Sequence, residues 1–196
     1  MSRSLNIKVF LVFTLLVIIQ SPVAVAYNET IERRISIGLR LFRTLLAADN
    51  NLEKKTTPDN QLKLLIISAE LSNDNQHIAD ELFNIGRGAK KGKIHGIPIT
   101  ISIITAAQLS DQHDSKVAGI YIADKLSEQQ LQTVINFGVT HHAIVYSPFE
   151  GDVQNGVPAG LAVGVRVLPF ININSLEKSQ ITIKALILKV AKIHED

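Results

Sequence analysis

The sequence predicts an α/β fold: a single domain with a mostly parallel sheet flanked by helices, an antiparallel C-terminal hairpin and a final helix. Three observations lead to this fold class. Apolar residues recur every three or four positions in several segments, the spacing of helices that bury one face. Short β-branched runs between them are apolar enough for strands covered on both faces. Strand and helix patterns alternate three times, as in a parallel sheet.

Each element follows from its local pattern. Apolar residues at 31, 35, 39, 42 and 46, separated by arginines, predict a first amphipathic helix. Strands are predicted at residues 62–67, 97–103, 117–122 and 143–146. Helices are predicted at 73–89 and 127–138. The second of these opens with Ser127 and has Gln130 three residues later, which is a capping-box sequence.

The last third of the chain changes character, because glycines at 151, 156, 160 and 164 punctuate it. Two short runs, 161–168 and 170–173, predict an antiparallel hairpin at the edge of the sheet. Apolar residues spaced between 183 and 193 then predict the final helix.

The N-terminal segment has the three-part pattern of a secretory signal peptide. Arg3 and Lys8 precede a largely apolar run at residues 9–19, and the small-residue sequence Val-Ala-Val-Ala ends at Ala26. The run is shorter than the roughly 20 residues that a membrane-spanning helix needs. We therefore expect cleavage of residues 1–26 after Ala26, a mature periplasmic domain of residues 27–196, and no stable membrane insertion.

Charge and cysteine content exclude several functions. The 20 lysines and arginines fall to 18, equal to the 18 aspartates and glutamates, once Arg3 and Lys8 leave with the signal. A balanced domain lacks the basic surface that nucleic-acid binding requires, so we expect no nucleic-acid partner. The chain has no cysteine, which excludes disulfides, thiolate metal ligands and a cysteine nucleophile.

Two segments suggest ligand chemistry but fail its requirements. Residues 86–93 combine glycines and lysines, yet Arg87 stands where a phosphate loop needs glycine and Ile94 where it needs Ser or Thr. The segment instead predicts a solvated helix end. His141 and His142 are adjacent at a loop-to-strand junction, where neighbouring side chains diverge. We therefore expect no metal site, unless folding brings in a further ligand such as His113 or Asp152.

No motif supports catalysis. A nucleophile elbow of the Gly-x-Ser-x-Gly type is absent, and Ser147 is followed by proline. Glu150 and Asp152 lie two residues apart in a glycine-rich loop, which is more typical of a polar turn than of a carboxylate pair. We expect neither an enzyme nor a cofactor; convergence of Ser147, His142 and Asp152 is the arrangement that would argue otherwise.

The segment at 147–157 is the most informative for function. It follows the fourth predicted strand, at the edge where open α/β sheets place their binding sites. Phe149 offers an apolar anchor, Glu150 and Asp152 offer charge, and Arg166 on the following strand offers a fork-shaped donor. We predict that these four residues bind a partner.

Four pieces of the mature chain follow one another in a characteristic order: Gly-Lys-Ile-His-Gly-Ile-Pro-Ile at 92–99, Gly-Leu-Ala-Val at 160–163, Pro-Phe-Ile-Asn at 169–172, and the helix at 183–191. This order resembles the YfiR family of periplasmic proteins, and the resemblance covers most of the mature chain. Its most specific parts are the Gly-Lys-x-x-Gly-x-Pro-Ile turn and the ending in which a strand, an asparagine and a helix follow one another.

The resemblance implies a non-enzymatic regulator. Characterised members bind the outer domain of a membrane diguanylate cyclase and restrain cyclic-di-GMP synthesis, so it implies a membrane protein partner with a periplasmic domain. Some relatives form redox-sensitive disulfides, which this cysteine-free chain cannot. The competing interpretation is a small periplasmic solute- or metal-binding protein. An exposed apolar patch would favour the protein partner, and a closed pocket with convergent polar groups would favour the solute.

Overall fold

The structure, a computed structural model, describes residues 22–195 and the surroundings of side chains from residue 32 onward. The described residues fall into two units, residues 22–34 and residues 35–195. The described part of the first unit is the beginning of one helix, and all the described strands belong to the second. Most of the predicted signal peptide, residues 1–26, lies outside the described residues. Within the described residues, no helix has both the length and the hydropathy to cross a membrane.

Five helices and eight strands make up the described fold. The helices are α1 (Pro22–Ala48), α2 (Asn73–Asn84), α3 (Glu128–His141), α4 (Ile173–Lys178) and α5 (Ala185–Val190). The strands are β1 (Leu62–Ser68), β2 (Lys93–Ile94), β3 (Ile97–Thr105), β4 (Gly119–Ile122), β5 (Ile144–Ser147), β6 (Ala159–Val163), β7 (Val167–Asn172) and β8 (Lys192–His194). Short 3-10 helices occupy Leu52–Lys55, Gly88–Lys90 and Ala106–Gln112.

The strands form one sheet in the order β2-β3-β1-β4-β5-β6-β7-β8. Strands β3, β1, β4, β5 and β6 are parallel, and β6 and β7 form an antiparallel hairpin. The predicted fold class is thereby confirmed. From β1 the chain crosses first to β3 on one side of β1 and then to β4 on its other side. The carboxyl ends of β1 and β4 therefore flank a crevice, which is the place where open parallel sheets bind ligands.

The two faces of the sheet bury different helices, because successive residues of a strand point to opposite faces. Leu64 and Ile66 of β1 join a cluster with residues of α1 and α2, whereas Leu65 and Ile67 join a cluster with residues of α3. A core therefore lies on each side of β1, as its continuous apolar run predicts.

Helix α1 packs closely on the sheet through aromatic rings. The ring of Phe42 lies 5.6 Å from that of Tyr121 and 5.9 Å from that of Tyr146. A side chain at Gly38 would come within 2.9 Å of the Tyr121 hydroxyl, so glycine permits this approach. The hydroxyl donates a hydrogen bond to the Ile35 carbonyl at 3.1 Å. Burial, with smaller contributions from Tyr146 and Glu81, raises the pKa of Tyr121 well above its usual value, which keeps the donor protonated.

Three sequence-based boundaries are wrong. Helix α2 ends at Asn84 rather than at residue 89. The hairpin turns at residues 164–166, not near Pro169, which lies inside β7. The pairing of β8 with β7 begins only at Phe170, so no neighbouring strand requires an N–H from this proline. The predicted final helix is limited to α5, and residues 192–194 instead form β8, which gives the edge of β7 a hydrogen-bonding partner.

Candidate binding site at the carboxyl edge of the sheet

The loop after β5 and the turn of the β6–β7 hairpin lie at the same edge of the sheet. Strands β5 and β6 are parallel and bring Ser147 opposite Gly160. From Gly160 the strand β6 continues for three residues to Val163, so the hairpin turn projects ~10 Å beyond the level of Ser147. The sequence-based placement of this loop at the carboxyl edge of the sheet is confirmed.

A buried carboxylate fixes the loop. The side chain of Asp152 is 1% exposed and accepts hydrogen bonds from the Ser147 hydroxyl at 2.6 Å and from the Lys125 ammonium. Lys125 also donates to the Glu150 carbonyl at 3.1 Å, and the Ser147 oxygen accepts from the Phe149 N–H at 3.1 Å. The end of β5, its loop and the segment after β4 are thus joined in one network.

The four predicted residues occupy different positions around this network. Phe149 is half-buried and packs against the α3 side of the core, whereas Glu150 is exposed. Arg166 is exposed in the hairpin turn, not on a strand as the sequence suggested. Asp152 is buried, so its role is to hold the loop, and the side chains available to a partner are those of Phe149, Glu150 and Arg166.

The hairpin carries an apolar surface that the sequence interpretation missed. Val163 lies opposite Val167, and Leu168 lies opposite Ala162 on the other face of the hairpin. Val163, Val167 and Leu168 are exposed, and Val165 in the turn is exposed completely. We call these four residues, with Arg166, the hairpin tip. In the sequence, the alternating valines are typical of a buried strand, and only the turn at Gly164 shows that they lie in an exposed hairpin.

The crevice between β1 and β4 is also lined by polar groups that bind each other. Asp124 accepts hydrogen bonds from the Ser68 hydroxyl and, at 3.0 Å, from the Ala69 N–H. Asp124 and Asp152 are therefore both held by protein donors. Their only sequence signal is their position just after two parallel strands.

Ser147, His142 and Asp152, whose convergence would argue for an enzyme, do not come together. Ser147 and Asp152 are in contact, but His142 precedes β5 while Ser147 ends it, which separates them by about 15 Å along the strand. His142 follows the last residue of α3 and caps the helix in a left-handed conformation with φ 53°, and its Nδ1 lies 3.1 Å from the Ser179 carbonyl.

The histidine pair and the glycine-lysine segment have structural partners. His141 is the last residue of α3 and stacks on Phe137 with ring centroids 3.9 Å apart, so the pair lies at a helix end, not at the start of a strand. In the part of the chain that the structure describes, no three metal-ligating side chains cluster. In segment 86–93, backbone carbonyls bind a cationic side chain. The Arg43 guanidinium donates hydrogen bonds to the Lys90 carbonyl, at 2.9 Å, and to the Lys93 carbonyl. That is the opposite of a phosphate-binding loop, which presents N–H groups.

Comparisons with known proteins are sparse. No protein-family model matches the sequence, and no curated protein matches it. Among solved structures, one similar chain is the ABC domain in complex with L-Trp from Streptococcus pneumoniae, with 16% sequence identity and a TM-score of 0.49. The match covers 76% of this chain and 62% of the pneumococcal one, so the chain spans about three fifths of that structure's length. The tryptophan is a ligand of that domain.

The environment of His141 predicts a pH dependence of stability. Burial, which dominates, and the neighbouring His113 and His142 lower its pKa below the usual 6.5, against an opposing backbone hydrogen bond to Ser115. The unfolded chain then binds this proton more tightly, so His141 makes the free energy of unfolding fall as pH drops below 6.5. In urea unfolding, His141→Gln should flatten this fall relative to His77→Gln, a control at an exposed position. An unchanged pH profile for His141→Gln would refute the assignment.

Proposed function

We propose that this chain is an exported, non-enzymatic regulatory protein that binds the periplasmic domain of a membrane protein through the carboxyl edge of its sheet. The hairpin tip is the observation that carries the proposal. Val163, Val165 and Val167 expose apolar side chains beside Arg166, and such a patch costs solubility unless another protein covers it. Arg166 in the hairpin tip and the aromatic Phe149 in the neighbouring loop belong to the residue types that dominate interface energies.

The geometry of the loop supports binding to a protein more than to a solute. A solute site needs a concave pocket with polar groups directed inward. Here the carboxylates of Asp124 and Asp152 are directed at Ser68, Ser147 and Lys125. The loop therefore presents Phe149 and Glu150 from a rigid base, which lowers the entropy lost on docking.

The resemblance to the YfiR family suggests the class of partner. Its members restrain membrane diguanylate cyclases, so the proposed partner is the outer domain of such a cyclase, and repression would consist of stabilising its inactive state. Export follows from the signal-peptide pattern, with Tyr27 as the first residue of the mature protein. N-terminal sequencing of protein recovered from the periplasm should begin at Tyr27; a retained segment 1–26 would contradict export by cleavage.

Binding measurements test the proposed surface. A partner would first be recovered from membranes with tagged mature protein and then titrated with variants. Phe149→Ala and Arg166→Ala should each weaken binding by more than about 1 kcal/mol, or more than about fivefold in Kd. The melting curve of Arg166→Ala should stay close to that of the wild type, because Arg166 is exposed.

Arg40→Ala is the matched control, since Arg40 is an exposed arginine on α1 and belongs to neither the loop nor the hairpin. It should bind as the wild type does. Normal binding by both Phe149→Ala and Arg166→Ala, together with loss of binding in Arg40→Ala, would show that the partner uses α1 instead.

A further inference from the structure

Strand β3 has an outer edge that lacks a partner strand over most of its length. The strand runs for nine residues, but β2 pairs only with Ile97 and Pro98 at its start. Beyond them, the Ile99 N–H donates to the Gly92 carbonyl and the Thr105 N–H to the Gln108 side chain, both at 2.9 Å. No other strand within residues 22–195 lies on this side of β3.

These two hydrogen bonds identify the backbone groups that remain on the outer edge. In a strand, the N–H and C=O groups of every second residue point to the same side. Since the backbone N–H groups of Ile99 and Thr105 point to the outer side, the backbone N–H and C=O groups of Ile101 and Ile103 point to that side too. Between the occupied N–H groups of Ile99 and Thr105, the edge thus offers the N–H and C=O groups of Ile101 and Ile103, and Ser102 lies midway between these two residues.

A groove with both polar and apolar walls runs beside this edge, between β3 and α2. Its walls include Ile101, Ile103, Leu71 and Phe83, and the last two are 58% and 46% exposed. Residues 99–104 of this edge carry neither a charge nor a proline that would block pairing, so the edge is a template for adding a further strand. The positions of the free N–H and C=O groups on this edge determine which strand can pair with it.

We propose that β3 pairs antiparallel with β3 of a second copy of this chain, about a two-fold axis at Ser102. In this register Ile101 lies opposite Ile103 of the second copy, and each such pair exchanges two hydrogen bonds. The two pairs together use the outward N–H and C=O groups of Ile101 and Ile103 in both copies. A register centred on Ile101 would need the Ile99 N–H, which Gly92 occupies, and one centred on Ile103 would need the Thr105 N–H, which Gln108 occupies.

The side chains suit the same symmetry. On the face that carries α2, isoleucine lies opposite isoleucine; on the other face, Ser102 meets its own symmetry mate. Such cross-strand pairs stabilise a sheet, and a two-fold interface needs a surface that complements itself.

Exposed charges also complement each other in this arrangement. Helix α2 follows the carboxyl end of β1, so exposed Glu70 and Asp74 lie toward the end of β3, whereas exposed Lys91 and Lys93 lie toward its start. Antiparallel pairing places the start of one β3 beside the end of the other. Each acidic end then meets a basic end, which favours this orientation over a parallel one.

Single cysteines test the register, because the chain has none of its own. Residues directly opposite in a non-hydrogen-bonded antiparallel pair have Cα atoms about 4.5 Å apart, within the range of a disulfide. Mature protein carrying Ser102→Cys should therefore form a disulfide-linked dimer under mild oxidation. Thr100→Cys is the control: it is on the same face and more exposed, but lies about 13 Å along the strand from its symmetry mate and should not cross-link.

Light scattering on the wild-type mature protein supplies the second readout. We expect twice the mass of one chain, with dissociation favoured by added salt because the end charges contribute. A monomer mass at every concentration, or cross-linking of Thr100→Cys as fast as of Ser102→Cys, would overturn the proposal. The hairpin tip lies across the sheet from β3, so failure of this pairing leaves the proposed partner surface untouched.

Discussion

Replacing Phe42 with alanine should lower the free energy of unfolding by about 3–5 kcal/mol, the cost of truncating a fully buried aromatic side chain. Phe42 is 0% exposed and packs on the rings of Tyr121 and Tyr146, so its loss leaves a cavity between α1 and the sheet. Urea denaturation monitored by circular dichroism measures the change.

Phe83→Ala provides a control of the same residue type. Phe83 is 46% exposed on α2, so its truncation should cost far less than that of Phe42. If the Phe83 variant proved as destabilised as the Phe42 variant, the packing of α1 on the central strands would not be the main source of stability at this face.

Replacing Asp152 with alanine should lower the free energy of unfolding by about 2–3 kcal/mol. The variant leaves the buried Ser147 hydroxyl without its acceptor and removes the carboxylate that joins the loop to Lys125. The ion pair itself adds little to this figure, because the Lys125 side chain is 55% exposed and water screens its charge.

Glu150→Ala and Asp152→Asn sharpen the test. Glu150 is an exposed acid in the same loop, so its loss should change stability by no more than about 0.5 kcal/mol. Asp152→Asn keeps an oxygen acceptor for Ser147 and should fall between the wild type and Asp152→Ala. Equal stability of Asp152→Ala and Glu150→Ala would mean that the carboxylate does not hold the loop.

Elements with a strong local signal were predictable from the sequence. The capping-box sequence at Ser127 correctly predicts the start of α3, where the Ser127 oxygen accepts from the Gln130 N–H at 3.3 Å and the Gln130 side chain accepts from the Ser127 N–H at 2.9 Å. The continuous apolar run in β1 correctly predicts a strand covered on both faces.

The C-terminal elements were less predictable, because tertiary contacts decide them. Apolar spacing between 183 and 193 fits a helix, but Ile193 instead lies beside Ile171 in the sheet, where the edge of β7 provides backbone partners. The site shows the same limit. The general rule for open sheets predicts the edge at which Phe149 lies, whereas the burial of Asp152 depends on Lys125, 27 residues earlier in the chain.

The hairpin tip as a protein contact is the central claim, and site-specific photo-cross-linking tests it most directly. A photoreactive amino acid would replace Val165 in the turn or, as a control, Thr140, an exposed residue near the end of α3 at the opposite edge of the sheet. We expect illumination of the complex with the partner recovered from membranes to cross-link the variant at 165 and not the variant at 140. Cross-linking at 140 with none at 165 would contradict the claim.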